Sequence, residues 1–266
     1  MFGIIGCGNM GEAILGGILG ANIFKPEEVI VSHLEQSALD RLHEKYGVQT
    51  TIDNKEVASK ADVMLISIKP YQFEEVIPQI KDEVGDDKLV ISIAAGQTLD
   101  SIMGHFGKAI HLVRTMPNTP ALVGAGATGM CFSDLVTEDE KGLAVSIFES
   151  FGIVSVVPER LIDTIIGVSG SSPAYVFMFI EAMADAAVAD GLPRADAYKM
   201  AAQAVYGSAK MVLETGKHPG ELKDMVCSPA GTTIEAVRVL EELGFRSAVI
   251  EGQMACVEKA RELANG

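Results

Sequence analysis

FGIIGCGNMG, residues 2–11, runs a short, unbroken apolar stretch straight into a Gly6-x-Gly8-x-x-Gly11 turn. The first four residues read as a strand covered on both faces, and a helix follows the turn. In that setting each glycine plays a separate part. Gly6 permits the tight turn, Gly8 lets the backbone approach a pyrophosphate, and Gly11 lets the helix pack on the strand. N–H groups at the helix start then face phosphate oxygens. The segment Gly6, Cys7, Gly8, Asn9, Met10 and Gly11 is therefore expected to hold a dinucleotide.

Outward from the turn the same alternation repeats. Residues 2–5, 29–32, 63–68, 89–93 and 110–114 are nearly continuous apolar runs with helical stretches between them, the pattern of a parallel α/β sheet. Runs at 129–132 and 153–157 flank a helical stretch over 138–151 and finish the sheet, in a direction the sequence leaves open. After Pro158 strand-like runs stop, and alanine, methionine and helix punctuation take over. The fold class is thus α/β: an N-terminal Rossmann-type dinucleotide-binding domain over 1–160, then an all-helical domain over 161–266.

The strand ends carry the remaining cofactor candidates. An NAD site places an acid after its second strand to take the ribose 2′-hydroxyl. This chain has Ser32, His33 and Leu34 there, with Glu35 just beyond. A serine can donate to a 2′-phosphate that an acid would repel, so NADP is expected, with NAD possible because no arginine stands nearby. His33 is either a second donor or an idle exposed side chain. Ile68, Lys69 and Pro70 close one run and Ala94 and Ala95 another, at the edge where open α/β sheets bind ligands; Lys69 is a cofactor contact or a solvated lysine. Arg114 opens a turn stiffened by Pro117 and Pro120, as a ligand or as a structural ion-pair partner.

In the helical half, Ser172-Pro173 starts a helix that Gly191 and Pro193 stop. Others are expected over 194–215, 232–243 and 246–263. The helix over 232–243 has a polar stripe of Glu235, Arg238 and Glu242 and an apolar stripe of Ile234, Val237, Leu240 and Leu243, expected to be buried. Its entry, Ser228-Pro229-Ala230-Gly231-Thr232-Thr233, leaves first-turn N–H groups free beside two hydroxyls. Such an opening binds a carboxylate without a cation; equally, one threonine serves as an N-cap. Helices this apolar need a partner surface, so a dimer through this half is expected.

The 266 residues carry a formal charge of -15. That disfavours nucleic acid and anionic membrane surfaces, and leaves anionic ligands to be caught by local positive potential. The most apolar stretch, 174–192, contains Glu181, Asp185 and Asp190, which opposes a membrane span. Cys7, Cys131, Cys227 and Cys256 lie far apart without zinc spacing, so they read as reduced thiols in a cytoplasmic protein with no export signal and no metal.

Six ordered segments then carry a resemblance: GCGNMG at 6–11, SIKP at 67–70, SIAAGQT at 92–98, RTMPNTPALVGAG at 114–126, GVSGSSPAYVFMFIEAMADAAV at 167–188 and HPGELKDMVCSPAGTTIEAVRVLEE at 218–242. Along its whole length the chain resembles the pyrroline-5-carboxylate reductases, which complete proline synthesis. The resemblance implies NADPH-dependent hydride transfer to the C=N bond of 1-pyrroline-5-carboxylate. It also implies a helical domain interlocked with its twin in a homodimer, in places assembled into rings of dimers. By motif position Thr233 meets the ring nitrogen, Ala230, Gly231 and Thr232 receive the carboxylate, Ser32 and Asn54 lie at the adenosine end of the cofactor, and Glu159 lies on the substrate side. Ala230 stands where the family carries glycine; a positive φ there would strain the turn. Alternatives are a reductase of another cyclic imine, a hydroxyacid dehydrogenase using one of Lys199, Lys210, Lys217 or Lys223, and a non-catalytic dinucleotide-binding regulator.

Overall fold

The computed structural model describes residues 1–265 and divides them into two compact units, Met1–Ser171 with the chain from Cys256 onward, and Ser172–Ala255. The first is built on a sheet of β1 (Phe2–Ile5), β2 (Val29–Ser32), β3 (Gln49–Thr51), β4 (Val63–Ile66), β5 (Leu89–Ser92), β6 (His111–Met116), β7 (Gly126–Phe132) and β8 (Gly152–Val156), in the order β3-β2-β1-β4-β5-β6-β7-β8. Its helices are α1 (Asn9–Gly20), α2 (Gln36–Tyr46), α3 (Asn54–Lys60), α4 (Phe73–Ile80), α5 (Leu99–Phe106), α6 (Glu138–Glu149) and the single turn α7 (Ile162–Ile165).

Alternate strand residues face opposite cores, which is why the runs are apolar without a break. Phe2, Ile4, Val29, Val31, Leu65 and Ile91 pack on one side with Ile14, Leu15 and Ile18 of α1 and with Ile147 and Phe148 of α6. Ile5, Ile30, Met64, Ile66 and Val90 pack on the other, against α3, α4 and α5. All neighbouring strands are parallel except β6 and β7, where Val113 stands opposite Phe132 and Met116 opposite Gly129. Residues 117–125 are too few for a crossover, so the chain turns back beside itself. α6 then supplies the crossover that makes β8 parallel to β7. β3 had no counterpart among the expected strands, because Gln-Thr-Thr on the sheet edge has no core face to betray it.

The second unit holds α8 (Ser172–Ala189), α9 (Arg194–Thr215), α10 (Pro219–Val226), α11 (Thr232–Glu242) and the first turns of α12 (Phe245–Asn265). α9 ends at Gly216, whose φ of 63° is the left-handed cap expected of glycine. α8 lies against α9, yet of its residues only Ala184 is fully buried, and Phe177 is 62% exposed. An apolar groove of about 1040 Å³ runs between Tyr175, Met178 and Phe179 of α8, Val239 and Leu240 of α11 and Phe245 and Val249 of α12. The stripe on α11 is therefore not buried within this chain as expected: Leu240 and Leu243 are exposed, the latter by 79%. The helical run Glu159–Ala189 has the length and mean hydropathy, 1.3, of a membrane span, with Glu181 and Asp185 inside it.

The division between the compact units falls at Ser171. Ile162 is buried in the core of the sheet unit, and a π-helical turn over Ile166–Gly170 carries the chain on to α8. That turn also precedes the Ser172-Pro173 signal, so helical structure begins before it.

Candidate active site

Two adjoining cavities open at the C-terminal ends of the parallel strands, beside the break in strand order between β1 and β4, where sheets of this kind bind nucleotides. The larger, about 640 Å³, is lined by Gly8, Asn9, Met10, Ile68, Lys69, Pro70, Ala94 and Ala95, with Ser67, Ile93, Pro117, Thr119 and Leu122. The smaller, about 280 Å³, is lined by Gly6, Gly8, His33, Asn54, Ile68 and Lys69, with Leu34, Gln72 and Gln79 among others. Most of the residues singled out in the sequence thus share one cleft. Ile93, Leu122 and Gln79 also line it without having been anticipated, since nothing local distinguishes them from core or surface positions.

The glycine turn has the geometry that phosphate binding requires. Gly6 sits at φ 81°, and Gly8, the N-cap of α1, takes an extended conformation with no side chain capping the helix. A Cβ built on Gly8 would meet no protein atom within 4 Å and would fill the space where that residue lines both cavities. The uncapped N–H groups and the open Gly8 fit a pyrophosphate. Gly11 packs instead, its Cβ position 3.0 Å from Ser67 Oγ. Cys7 is buried, and burial, with Glu12 adding to it, pushes its thiol up to about 12. It enters the turn through its backbone and offers no thiolate. Glu12 Oε1 accepts hydrogen bonds from Arg41, Lys45 and Tyr46, which tie the first turn of α1 to α2. Burial pushes its carboxyl up, but the bonds from Lys45 and Arg41 outweigh that and hold it below the usual range.

At the end of β2 the structure pairs Ser32 with Asn54. Ser32 is fully buried and donates to Asn54 Oδ1 at 2.7 Å, and Asn54 Nδ2 donates to Gln79 Oε1 at 3.0 Å. Ser32 therefore orients Asn54, and Asn54 lines the cavity.

Arg114, left open as ligand or ion-pair partner, is an ion-pair partner. Its side chain is 4% exposed and bonds Glu159 Oε1 at 2.9 Å and Asp163 Oδ1 at 3.2 Å. The Glu159 oxygen also accepts from the Leu99 N–H at 2.7 Å, so this acid joins β6 to the start of α5, while Asp163 ties β6 to α7. Arg114→Met is expected to lower unfolding free energy by about 2 kcal/mol, less than for a sealed pair because Glu159 and Asp163 keep some water. Urea unfolding checks this, and Arg114→Lys should recover under half of the loss, since one ammonium cannot span two carboxylates.

In the helical unit the opening of α11 is uncapped. Gly231, at φ -83° and ψ 173°, is the N-cap and provides no side chain, so neither threonine serves as one. Thr232 and Thr233 instead occupy the first helical positions with their hydroxyls and N–H groups at the mouth. Gly231 closes the turn by donating its N–H to Ser228 O at 3.1 Å, and a Cβ on it would strike Ser228 Oγ at 2.3 Å. Ala230 stands at φ 56°, one of two non-glycine residues with positive φ among those described. A methyl group there costs about 1 kcal/mol. Ala230→Gly is accordingly expected to raise the unfolding free energy by about 1 kcal/mol and to lower the substrate KM; an unchanged or higher KM would mean that the turn already accepts alanine.

Among the described residues no three His, Cys, Asp or Glu side chains come together to hold a metal. Lys210, Lys217 and Lys223 are paired with Glu214, Glu221 and Asp224 on the surface. Burial, then Glu159, pushes the Cys131 thiol up to about 12.

A family model described as pyrroline-5-carboxylate reductase dimerisation matches residues 159–263, and one described as NADP oxidoreductase, coenzyme F420-dependent, matches residues 1–96. The pyrroline-5-carboxylate reductase of Escherichia coli is 53% identical over 98% of this chain and 97% of its own. The structure of the Coxiella burnetii enzyme superposes with a TM-score of 0.93 at 41% identity, over 99% of this chain and 98% of that one. That of Plasmodium falciparum pyrroline carboxylate reductase with NADP bound gives 0.89 at 32% identity, over 99% and 97%. A chain matched end to end at this identity belongs to the pyrroline-5-carboxylate reductase family.

Proposed function

We propose that the chain reduces 1-pyrroline-5-carboxylate to L-proline with NADPH. The observation that carries the reading is the uncapped opening of α11, with Thr232 and Thr233 at its mouth, in a member of this family. When bound, NADPH supplies the hydride. The chain's own share is orientation, because the carbon of a protonated imine is already electrophilic. Thr233 acts as the catalytic residue, its hydroxyl holding the ring nitrogen. Ala230, Gly231 and Thr232 receive the carboxylate at the positive end of the helix dipole, which needs no cation in a chain of charge -15. Glu159, a substrate-side acid by motif position, is anchored by Arg114. Gly6 to Gly11 take the pyrophosphate; His33 and Asn54, the latter set by Ser32, take the adenosine end; and Ile68, Lys69, Pro70, Ala94 and Ala95 wall the remainder.

The helical half is an oligomerisation domain. We read it as forming a homodimer through the groove between α8, α11 and α12, with rings of such dimers as the larger assembly. A cytoplasmic enzyme without nucleic-acid or membrane partners suits the acidic charge and the four free cysteines. Loss of NADPH absorbance on adding pyrroline-5-carboxylate, with proline as product, tests the activity. Turnover of another cyclic imine or a hydroxy acid in its place would overturn the substrate, and a higher kcat/KM with NADH would overturn the cofactor.

A further inference from the structure

We propose that His33 selects NADP(H) over NAD(H) by donating a hydrogen bond from Nε2 to the 2′-phosphate. The inference rests on reading the cleft as a dinucleotide site and adds the side chain that distinguishes the two cofactors. The residue at the end of β2 that the sequence favoured for this role, Ser32, is fully buried and has its only hydroxyl proton committed to Asn54 Oδ1 at 2.7 Å. No arginine lines the smaller cavity, and its one lysine, Lys69, follows β4 and not β2. His33 is half-buried, lines that cavity and stands directly after β2.

Its orientation is set by the backbone. The Glu35 N–H donates to His33 Nδ1 at 3.0 Å, so Nδ1 is the acceptor and Nε2 carries the ring proton. A donor held this way meets an anionic oxygen in a charge-assisted bond that a ribose hydroxyl does not match. Asn54 reinforces the arrangement, because accepting from Ser32 and donating to Gln79 fixes its amide and leaves one N–H for the cavity.

Two variants separate donation from packing. His33→Asn keeps an acceptor for the Glu35 N–H but removes the Nε2 donor, whereas His33→Gln restores an N–H near the Nε2 position. In calorimetric titrations adenosine 2′-monophosphate should bind His33→Asn about tenfold more weakly than wild type, and His33→Gln within about threefold of it. Adenosine 5′-monophosphate should bind all three alike. Steady-state kcat/KM should fall about tenfold more for NADPH than for NADH in His33→Asn. Equal losses for the two nucleotides would show that His33 only packs the loop, and undiminished binding of the 2′-phosphate would assign it to another group; either result overturns the proposal. The titrations use no imine, so they read this site whatever the substrate proves to be. Failure of both nucleotides to bind the wild-type enzyme would refute the dinucleotide reading itself.

Discussion

Gly8→Val is expected to weaken NADPH binding by at least about 100-fold, the loss of roughly two charge-assisted hydrogen bonds at about 1.5 kcal/mol each. The cause is local and steric. The side-chain space of Gly8 is empty of protein and lies where the residue lines both cavities, so added carbon displaces the pyrophosphate and nothing else. For the same reason the fold should tolerate the change. Gly8 has a φ of -78°, open to any residue, and valine at an N-cap costs about 1 kcal/mol, a fall in Tm of no more than about 4 °C. Gly142→Ala is the control: its Cβ also meets nothing within 4 Å, but it lies on α6, away from the cleft. Titration with NADPH and a melting curve for both variants check the separation. A Gly8→Val enzyme that binds NADPH normally would show that the backbone does not approach the pyrophosphate there.

Thr233→Ala should lower kcat about 100-fold, near the upper end of what one hydrogen bond to a charged group contributes, about 1.5–3 kcal/mol. Thr233 is not the N-cap of α11, and no capping bond is lost with its hydroxyl, so the change should leave stability nearly untouched. A hydroxyl whose bond strengthens as the ring nitrogen changes charge acts on kcat more than on KM. Thr233→Ser, which keeps the hydroxyl, should restore most of the rate, and Thr232→Ala should act mainly on the substrate KM. Stopped-flow reduction at saturating substrate reads the chemical step directly. A raised KM with intact kcat would move Thr233 from catalysis to carboxylate binding.

Both predictions concern helix openings, and these were the most legible features of the chain. A helix mouth is specified by a few adjacent residues: glycines that admit a close approach, and small polar residues that leave N–H groups open. Gly6 to Gly11 could therefore be read directly, whereas at Ser228 to Thr233 the structure, with Gly231 as the N-cap, decided against a capping threonine. The strands of the parallel core were legible for a similar reason, since burial on both faces leaves an unbroken apolar run. β3 was not, because an edge strand of Gln, Thr and Thr buries too little to show a pattern. α10 was overlooked because its entry, His218-Pro219-Gly220, reads as a turn; there the His218 ring accepts from the Gly220 N–H and caps the helix.

Partnerships across the fold were the part that sequence could not supply. Ser32 and Asn54 are separated by the whole of α2 and β3, and only the sheet brings the hydroxyl to the amide and turns an expected phosphate donor into a positioning group. Arg114 meets Glu159 and Asp163 because β6 and the turn after β8 end at the same edge, which decides between ligand and ion-pair partner. The sign of φ at Ala230 likewise depends on how the turn closes onto Ser228.

By itself the amino-acid order determined the class of fold and the glycine turn that opens α1, because each depends on neighbours within about one helical turn or one strand. Tertiary structure alone decided which polar side chains are spent on one another and which face the cleft. It also showed that the apolar stripe of α11 is left uncovered by its own chain. Those outcomes depend on distances between residues far apart in sequence, and no local periodicity encodes them.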